Sequence, residues 1–332
     1  MRPFSALAPM LASLAAAVLL AACAEAARDD AVLTLATWNT DWLIEPDTFD
    51  ELARLCIGRG GRGSGDQRSI PCDLVPRGRW SAADFERLRD FAATVPADVF
   101  ALQETDGPGT AARVFPSWSF CFTARRHVQN VGFAVRPGLA HRCNDDYRAL
   151  GLPGNDVRWG ADLTLYPDTP LEVRLLAVHL KSGCNRDPLT RNSEECRMLQ
   201  QQVPVLEAWI DARAEERQLF AVLGDFNRRF DREFAPGRDR GGRIVAMWPE
   251  LDDGEPPEAD LFDPEDFRSR EPCRERDPLR ASVDHILLSA GLGGAVVPGS
   301  YHVWTYPRGT PARRWPDHCI RSVSVDLGRA GR

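Results

Sequence analysis

The sequence predicts a two-sheet sandwich flanked by helices. Short apolar runs with strand character outnumber helical stretches along the chain. No internal repeat and no break in composition divides it. Nine runs read as strands: 32–37, 98–103, 118–123, 131–136, 161–166, 173–179, 219–223, 283–289 and 322–327. Most are rich in Val, Leu, Phe or Trp and are bounded by turn residues. Three stretches read as helices: 48–56, 82–95 and 194–217. In the second, Ser81 with Asp84 makes an N-terminal cap, and Phe85, Leu88, Phe91 and Ala92 recur at helical spacing. The third contains Pro204, which predicts a kink or a split there.

Two stretches fit neither class. Residues 58–66 are rich in Gly and Arg and read as a mobile loop between Cys56 and Cys72. Residues 228–281 are dense in Arg, Asp, Glu and Pro and read as a long loop insertion, pinned to the body by Trp248, Leu251, Phe262 and Phe267.

The first 22 residues read as an export leader, with Arg2 followed by an Ala- and Leu-rich core. Leu20-Ala21-Ala22-Cys23 resembles the bacterial lipobox. That resemblance implies lipidation of Cys23, a short linker over 23–30 and a globular domain over 31–332. The protein would then be held to a membrane by acyl chains, facing the periplasm or the exterior. Ala24-Glu25-Ala26 offers the alternative of ordinary cleavage and a secreted soluble protein.

Export agrees with the cysteines. Removing Cys23 from the nine leaves Cys56, Cys72, Cys121, Cys143, Cys184, Cys196, Cys273 and Cys319. An even set in an oxidising compartment reads as disulfides, although sequence leaves about 105 pairings open. Pairing between sequence neighbours gives 56–72, 121–143, 184–196 and 273–319. None of these cysteines shows the C-x-x-C spacing of a zinc site.

Charge narrows the partners. Without its leader the chain carries 40 basic and 48 acidic residues, formally −8; Lys181 is its single lysine. Binding nucleic acid by bulk charge alone is excluded by that balance, whereas a local cationic or metal-bearing cleft is not. The arginine clusters Arg125-Arg126, Arg228-Arg229 and Arg238, Arg240, Arg243 could track phosphates, or could be loop charges paired with nearby acids.

Polar residues competent to bind metal recur at the ends of the predicted strands, where a rigid scaffold can aim side chains into one cleft. Asn39 ends the first strand and Asp41 lies two residues on, on the same face by alternation. The next apolar strand delivers Gln103 and Glu104. Then come His179-Leu180-Lys181-Ser182-Gly183, Gly224-Asp225-Phe226-Asn227, Asp284-His285 and Asp317-His318. Any one of these is weak evidence, because a lone Asp or Asn after a strand is usually a turn former.

Together and in this order, the six motifs resemble the endonuclease/exonuclease/phosphatase superfamily, from about Leu33 to Leu327. That superfamily includes pancreatic-type deoxyribonucleases, abasic-site endonucleases, neutral sphingomyelinases and inositol polyphosphate 5-phosphatases. The resemblance implies a four-layer α/β/β/α sandwich of two mainly antiparallel sheets. It implies Glu104 as the central ligand of Mg²⁺, or Mn²⁺ in its place, with Asn39, Asp41 and Asp317 as further metal-site residues. Asp225 and Asn227 match the pair that orients the attacking water and the phosphate. His179 matches a phosphate or leaving-group donor, and Lys181 a phosphate contact. Asp284 matches the acid that orients His318, and His318 or Asp225 would take the proton of the water. Departures from the pattern are Pro316 before Asp317-His318 and His285 after Asp284; His285 reads as structural.

The implied activity is metal-dependent phosphodiester hydrolysis, with nucleic acid as the first substrate class. Lipid or inositol headgroups are the second, and a catalytically inactive surface binding protein is the third. No obligate protein partner is indicated.

Overall fold

A computed structural model describes residues 31–58, 68–154, 157–233, 236–265, 270, 272–275, 277–278, 281–309 and 315–330. The leader, Cys23, most of the Gly- and Arg-rich loop and Phe267 lie outside the described residues. No helix among the described residues is long and apolar enough to cross a membrane.

The strands are β1 (Val32–Leu43), β2 (Val99–Thr105), β3 (Ser119–Phe122), β4 (Asn130–Val135), β5 (His141–Cys143), β6 (Ala161–Leu165), β7 (Val173–His179), β8 (Leu219–Asp225), β9 (Leu261–Phe262), β10 (Asp284–Ser289), β11 (His302–Trp304) and β12 (Ile320–Asp326). They form two six-stranded sheets, ordered β11-β12-β1-β2-β4-β3 and β5-β6-β7-β8-β10-β9. Each sheet has one parallel pair near its centre, β1 with β2 and β7 with β8. The remaining pairings are antiparallel, as the sequence led us to expect.

The sheets face each other across one apolar layer. From the first come Leu33, Leu35, Val99, Ala101, Val131 and Phe133; from the second come Leu163, Leu175, Ala221, Leu223 and Ile286. Alternate residues of the same strands are buried on the outer faces. Trp38, Phe100 and Leu102 pack against α2 (Ala82–Ala92) and α3 (Pro108–Val114). Leu176, Val178, Phe220 and Val222 pack under α4 (Glu194–Glu215). Burial on both faces is why these strands read as continuous apolar runs rather than alternating ones. A smaller cluster of Ile44, Phe49, Leu52, Ile70 and Leu74 seats α1 (Pro46–Ala53).

Ser81 and Asp84 form the capping box expected at the start of α2. Of the expected kink or split, no split occurs: α4 runs as one helix through Pro204. Pro204 lies on its exposed face. The strands missed from sequence, β5, β9 and β11, are two or three residues long, too short for an alternating pattern to register. In the insertion, α5 (Trp248–Leu251) buries Leu251 and half-buries Trp248, while Phe262, though partly exposed, pairs with Leu288 of β10 and packs against Gly293. A last short helix, α6 (Ala290–Gly293), follows β10.

The sulfurs pair as Cys56–Cys72, Cys121–Cys143, Cys184–Cys196 and Cys273–Cys319, the pairing expected between sequence neighbours.

Candidate active site

Both parallel strand pairs end at the same edge of the sandwich, and the polar motifs sit at those ends. In the second sheet His179, Asp225 and Asp284 form one row across β7, β8 and β10, because His179 registers with Asp225 and Asp225 with Asp284. Gly224 makes this row possible. Its φ is +147°, and a Cβ there would lie 2.0 Å from the Val178 carbonyl oxygen on the neighbouring strand.

The first sheet reaches the same cleft by breaking its own alternation. Val99 and Ala101 face the inter-sheet core, whereas Phe100 and Leu102 face the helices. Glu104 therefore has the phase of the outer face. A register shift between Gln103 and Thr105, with φ of +59° at Glu104, turns the carboxylate inward. There its Oε1 accepts from Asn39 Nδ2 at 3.3 Å and its Oε2 from the Trp42 N–H at 3.1 Å. Asp41 also reaches the cleft, but not by the simple alternation expected. Asp41 and Trp42 both have left-handed φ, +50° and +54°, where β1 loses register. Asn227 adopts +52° as well, and its N–H caps Asp225 Oδ1 at 2.8 Å. Four non-glycine residues in a disfavoured conformation at one site mark strain held for positioning.

Asn39 lies at the centre. Its Nδ2 donates to Asp225 Oδ2 at 3.1 Å as well as to Glu104, and its Oδ1 accepts from the Asp41 N–H at 3.0 Å. Asn39 thus orients both carboxylates, and its Oδ1 keeps a second lone pair for a cation. His179 Nε2 lies 3.4 Å from Asp225 Oδ2 and 3.7 Å from Glu104 Oε1. On the far side His318 Nδ1 meets both oxygens of Asp284, at 2.9 and 2.8 Å. Its Nε2 then faces Asp225 Oδ2 at 4.0 Å and Asp317 Oδ1 at 3.9 Å. Lys181 stands near His179, with its ammonium donating to Ser182 O at 3.1 Å.

Burial and mutual charge set the electrostatics. Burial, then the charges of Asp317 and Glu104, raises Asp41 to about 7. Burial also raises Glu104, and lifts Asp225 to about 6. His179 is pushed well down, first by burial and next by the charge of Arg158, so its imidazole is neutral. His318 loses affinity for its proton by burial, but the charge and hydrogen bond of Asp284 outweigh this and carry it well above the usual value.

The donor set fits a divalent cation. Asp41, Glu104 and Asp317 are hard oxygen donors whose crowding raises the proton affinity of the first two. A cation among them would relieve that repulsion.

Some supporting residues carry no sequence signal. Arg158 grips the strand end behind His179, donating from Nε to His179 O at 2.9 Å and from Nη2 to Leu180 O. Tyr306 accepts from Trp38 Nε1 at 2.9 Å and donates to His318 O, tying the outer core to the catalytic loop. Both are single residues in loops, recognisable only once the chain is folded. The arginine clusters need correction. Arg228 is buried, ion-paired to Glu233 and bonded to the Cys184 and Asp187 carbonyls; Arg229 is buried too. Arg238 pairs with Glu250 and Arg243 with Asp239. Arg125 and Arg126 line a hollow of about 450 Å³, together with Arg68.

The family described as Endonuclease/Exonuclease/phosphatase matches residues 36–323, which spans every strand end described above. The chain belongs to that family. As a member of the endonuclease/exonuclease/phosphatase family it is a hydrolase of phosphoester bonds. Solved structures share the fold at low identity. A 3′ phosphatase from Neisseria, NExo (D146N) bound to product DNA hairpin, has a TM-score of 0.54 at 15% identity, covering 89% of this chain and 99% of its own. Truncated TDP2 from Caenorhabditis elegans has a TM-score of 0.51 at 12% identity, covering 89% and 97%. The AP endonuclease LMAP from Leishmania major has a TM-score of 0.51 at 17% identity, covering 89% and 88%. No curated protein is significantly similar to the chain in sequence.

Proposed function

We propose that this family member is an exported, metal-dependent nuclease that hydrolyses phosphodiester bonds of DNA or RNA. The observation that carries the reading is the convergence of Asn39, Glu104, His179, Asp225, Asn227, Asp284 and His318 on one cleft, with Asp41 and Asp317 at its rim. Solved structures of this fold include an enzyme bound to a DNA hairpin and an AP endonuclease, which favours nucleic acid over lipid headgroups.

Glu104, with Asn39, Asp41 and Asp317, would hold Mg²⁺ or Mn²⁺. When bound, the cation supplies charge neutralisation at the phosphate and polarisation of a phosphoryl oxygen. The chain's own residues do the rest. Asp225 Oδ2 stands between the two histidines and is the acceptor to which an attacking water can be aligned. Asn39 and the Asn227 N–H hold that carboxylate from either side. His179 is neutral and presents Nε2 to the carboxylate end of the cleft, as a donor to a phosphate oxygen. Asp284 fixes the ring of His318 so that Nε2 faces the reacting centre, positioned to donate to the phosphate or exchange a proton with it.

The test is cleavage of supercoiled plasmid by the chain lacking its leader, with Mg²⁺ or Mn²⁺ and with EDTA, beside Glu104→Ala. Metal-dependent nicking that vanishes in the variant is the expected result. Failure to nick by folded protein, with hydrolysis of sphingomyelin or inositol phosphates instead, overturns the substrate reading. Anchoring through Cys23 belongs to the same proposal. Cys23→Ala should move the protein from the membrane fraction to the soluble fraction, and retention in the membrane would refute the anchor.

A further inference from the structure

A second hollow, of about 330 Å³, opens directly beside the catalytic carboxylates, with Asp41 in its wall. Its other walls include the rings of Trp42, Trp80 and Phe49, and Arg77 and Arg79 stand at its rim. The two tryptophans are held in place. Trp42 is locked by its own N–H on Glu104 Oε2, 3.1 Å away. Trp80 donates from Nε1 to Trp42 O at 3.0 Å. Both are half-buried, Trp80 against the cluster beneath α2 and Trp42 against the one beneath α1. Arg77 is 58% exposed and bonds Asp41 Oδ1 at 2.9 Å; Arg79 is 50% exposed and pairs with Asp50. Two half-buried indoles thus line a hollow beside a metal-competent carboxylate. The Cys56–Cys72 bridge ties down the segment that leads into this wall.

We propose that this hollow is a nucleobase subsite: a base next to the scissile phosphate stacks on Trp80 and Trp42, and Arg77 and Arg79 face the adjoining phosphate. The inference rests on the nuclease reading above and deepens it by naming the part of the substrate that is recognised. Aromatic faces bind any base through its π surface, and guanidinium groups favour the backbone. The volume accommodates one planar base with its sugar at the small end of ligand sites.

The experiment measures kcat and KM of the chain lacking its leader on a short DNA oligonucleotide, with one base-free tetrahydrofuran residue walked across the cleavage site. A base-free residue at one position beside the scissile bond should raise KM on the order of tenfold, the scale of one lost stacking contact. In Trp80→Ala the intact and base-free oligonucleotides should be cut with equal efficiency. A penalty that persists in Trp80→Ala, or no position-dependent penalty in the unmodified protein, overturns the subsite while leaving the nuclease reading intact. Cleavage of no oligonucleotide at all overturns the nuclease reading itself. A second measurement needs no variant. Thymidine 5′-monophosphate should quench tryptophan fluorescence saturably, and ribose 5-phosphate should not. Equal responses, or quenching by phosphocholine alone, refute the assignment.

Discussion

Adjacent residues of β10, Asp284 and His285, face opposite ways and seed two clusters of similar composition. Asp284 joins Asp225 and His318; His285 joins Asp263 and Glu265. In each, an imidazole and two carboxylates bring ligand atoms within 4.8 Å of one another. Their surroundings differ. The second cluster is closed by Arg321, whose Nη1 bonds Glu265 Oε1 and Tyr301 Oη, both at 2.7 Å. His285 is sealed in, stacked 4.3 Å from Phe230 and bonded through Nε2 to Arg228 O at 2.9 Å. Burial disfavours its proton, but Asp263 and then Glu265 outweigh this and raise its pKa, so the cluster balances its own charge. The first cluster lies at an open cleft among Glu104, Asp41 and Asp317, whose crowding no arginine offsets to the same degree. A His–carboxylate set closed by its own buried arginine is structural; one that lies at an opening among further carboxylates is a site for something else.

The sharpest way to break this contrast is Glu104→Ala. It should fold and lose on the order of 10³-fold in phosphodiesterase rate, the scale of a lost metal contribution. Retained metal-dependent turnover would remove Glu104 from the site. Next in size is Arg321→Met, which strands the buried carboxylate of Glu265 and should cost about 3–5 kcal/mol of stability by denaturant unfolding. An unchanged unfolding midpoint would show that Arg321 is not the balancing charge. Asp284→Asn should lower kcat by on the order of 10²-fold with Mg²⁺ affinity unchanged, as for a residue that acts through His318. A matching loss of Mg²⁺ affinity would count against the dyad.

The smallest effect concerns a third carboxylate group, on α4, with neither full compensation nor an opening for a ligand. Burial and then Asp211 raise Glu207 to about 9. The folded protein therefore holds this proton more tightly than the unfolded chain, whose carboxyl titrates near 4.5. Stability is complete below that unfolded value and is lost as pH rises toward 9. Glu207→Gln should raise the melting temperature by about 2–4 °C at pH 8 and flatten its dependence on pH. An unchanged profile would place Glu207 in water.

Much of this was legible from residue order. The six strand-end motifs carried the family and the site because each pairs an apolar run with a polar terminus. Disulfide pairing followed from proximity in sequence. What escaped was whatever depends on backbone turns or on single residues far away. Alternation placed Asp41 correctly for the wrong reason and gave no sign that Glu104 needs a left-handed residue to face inward. Arg228 and Arg229 read as candidate surface charge, yet one is buried against Glu233; composition cannot see a partner five residues away folding over it. Arg158 and Tyr306 hold the site through backbone carbonyls, contacts to which any residue's main chain could contribute.

Each histidine at the reacting centre is followed closely by half of a disulfide: Cys184 comes five residues after His179, and Cys319 immediately follows His318. The partners, Cys196 and Cys273, lie on α4 and in the insertion, so each bridge ties a catalytic loop to an otherwise separate element. A chain whose thiols are still reduced lacks both tethers, and its two imidazoles come under covalent restraint only as the sulfurs oxidise. On the export reading, that restraint would arrive with departure from the compartment that holds the cell's own nucleic acid.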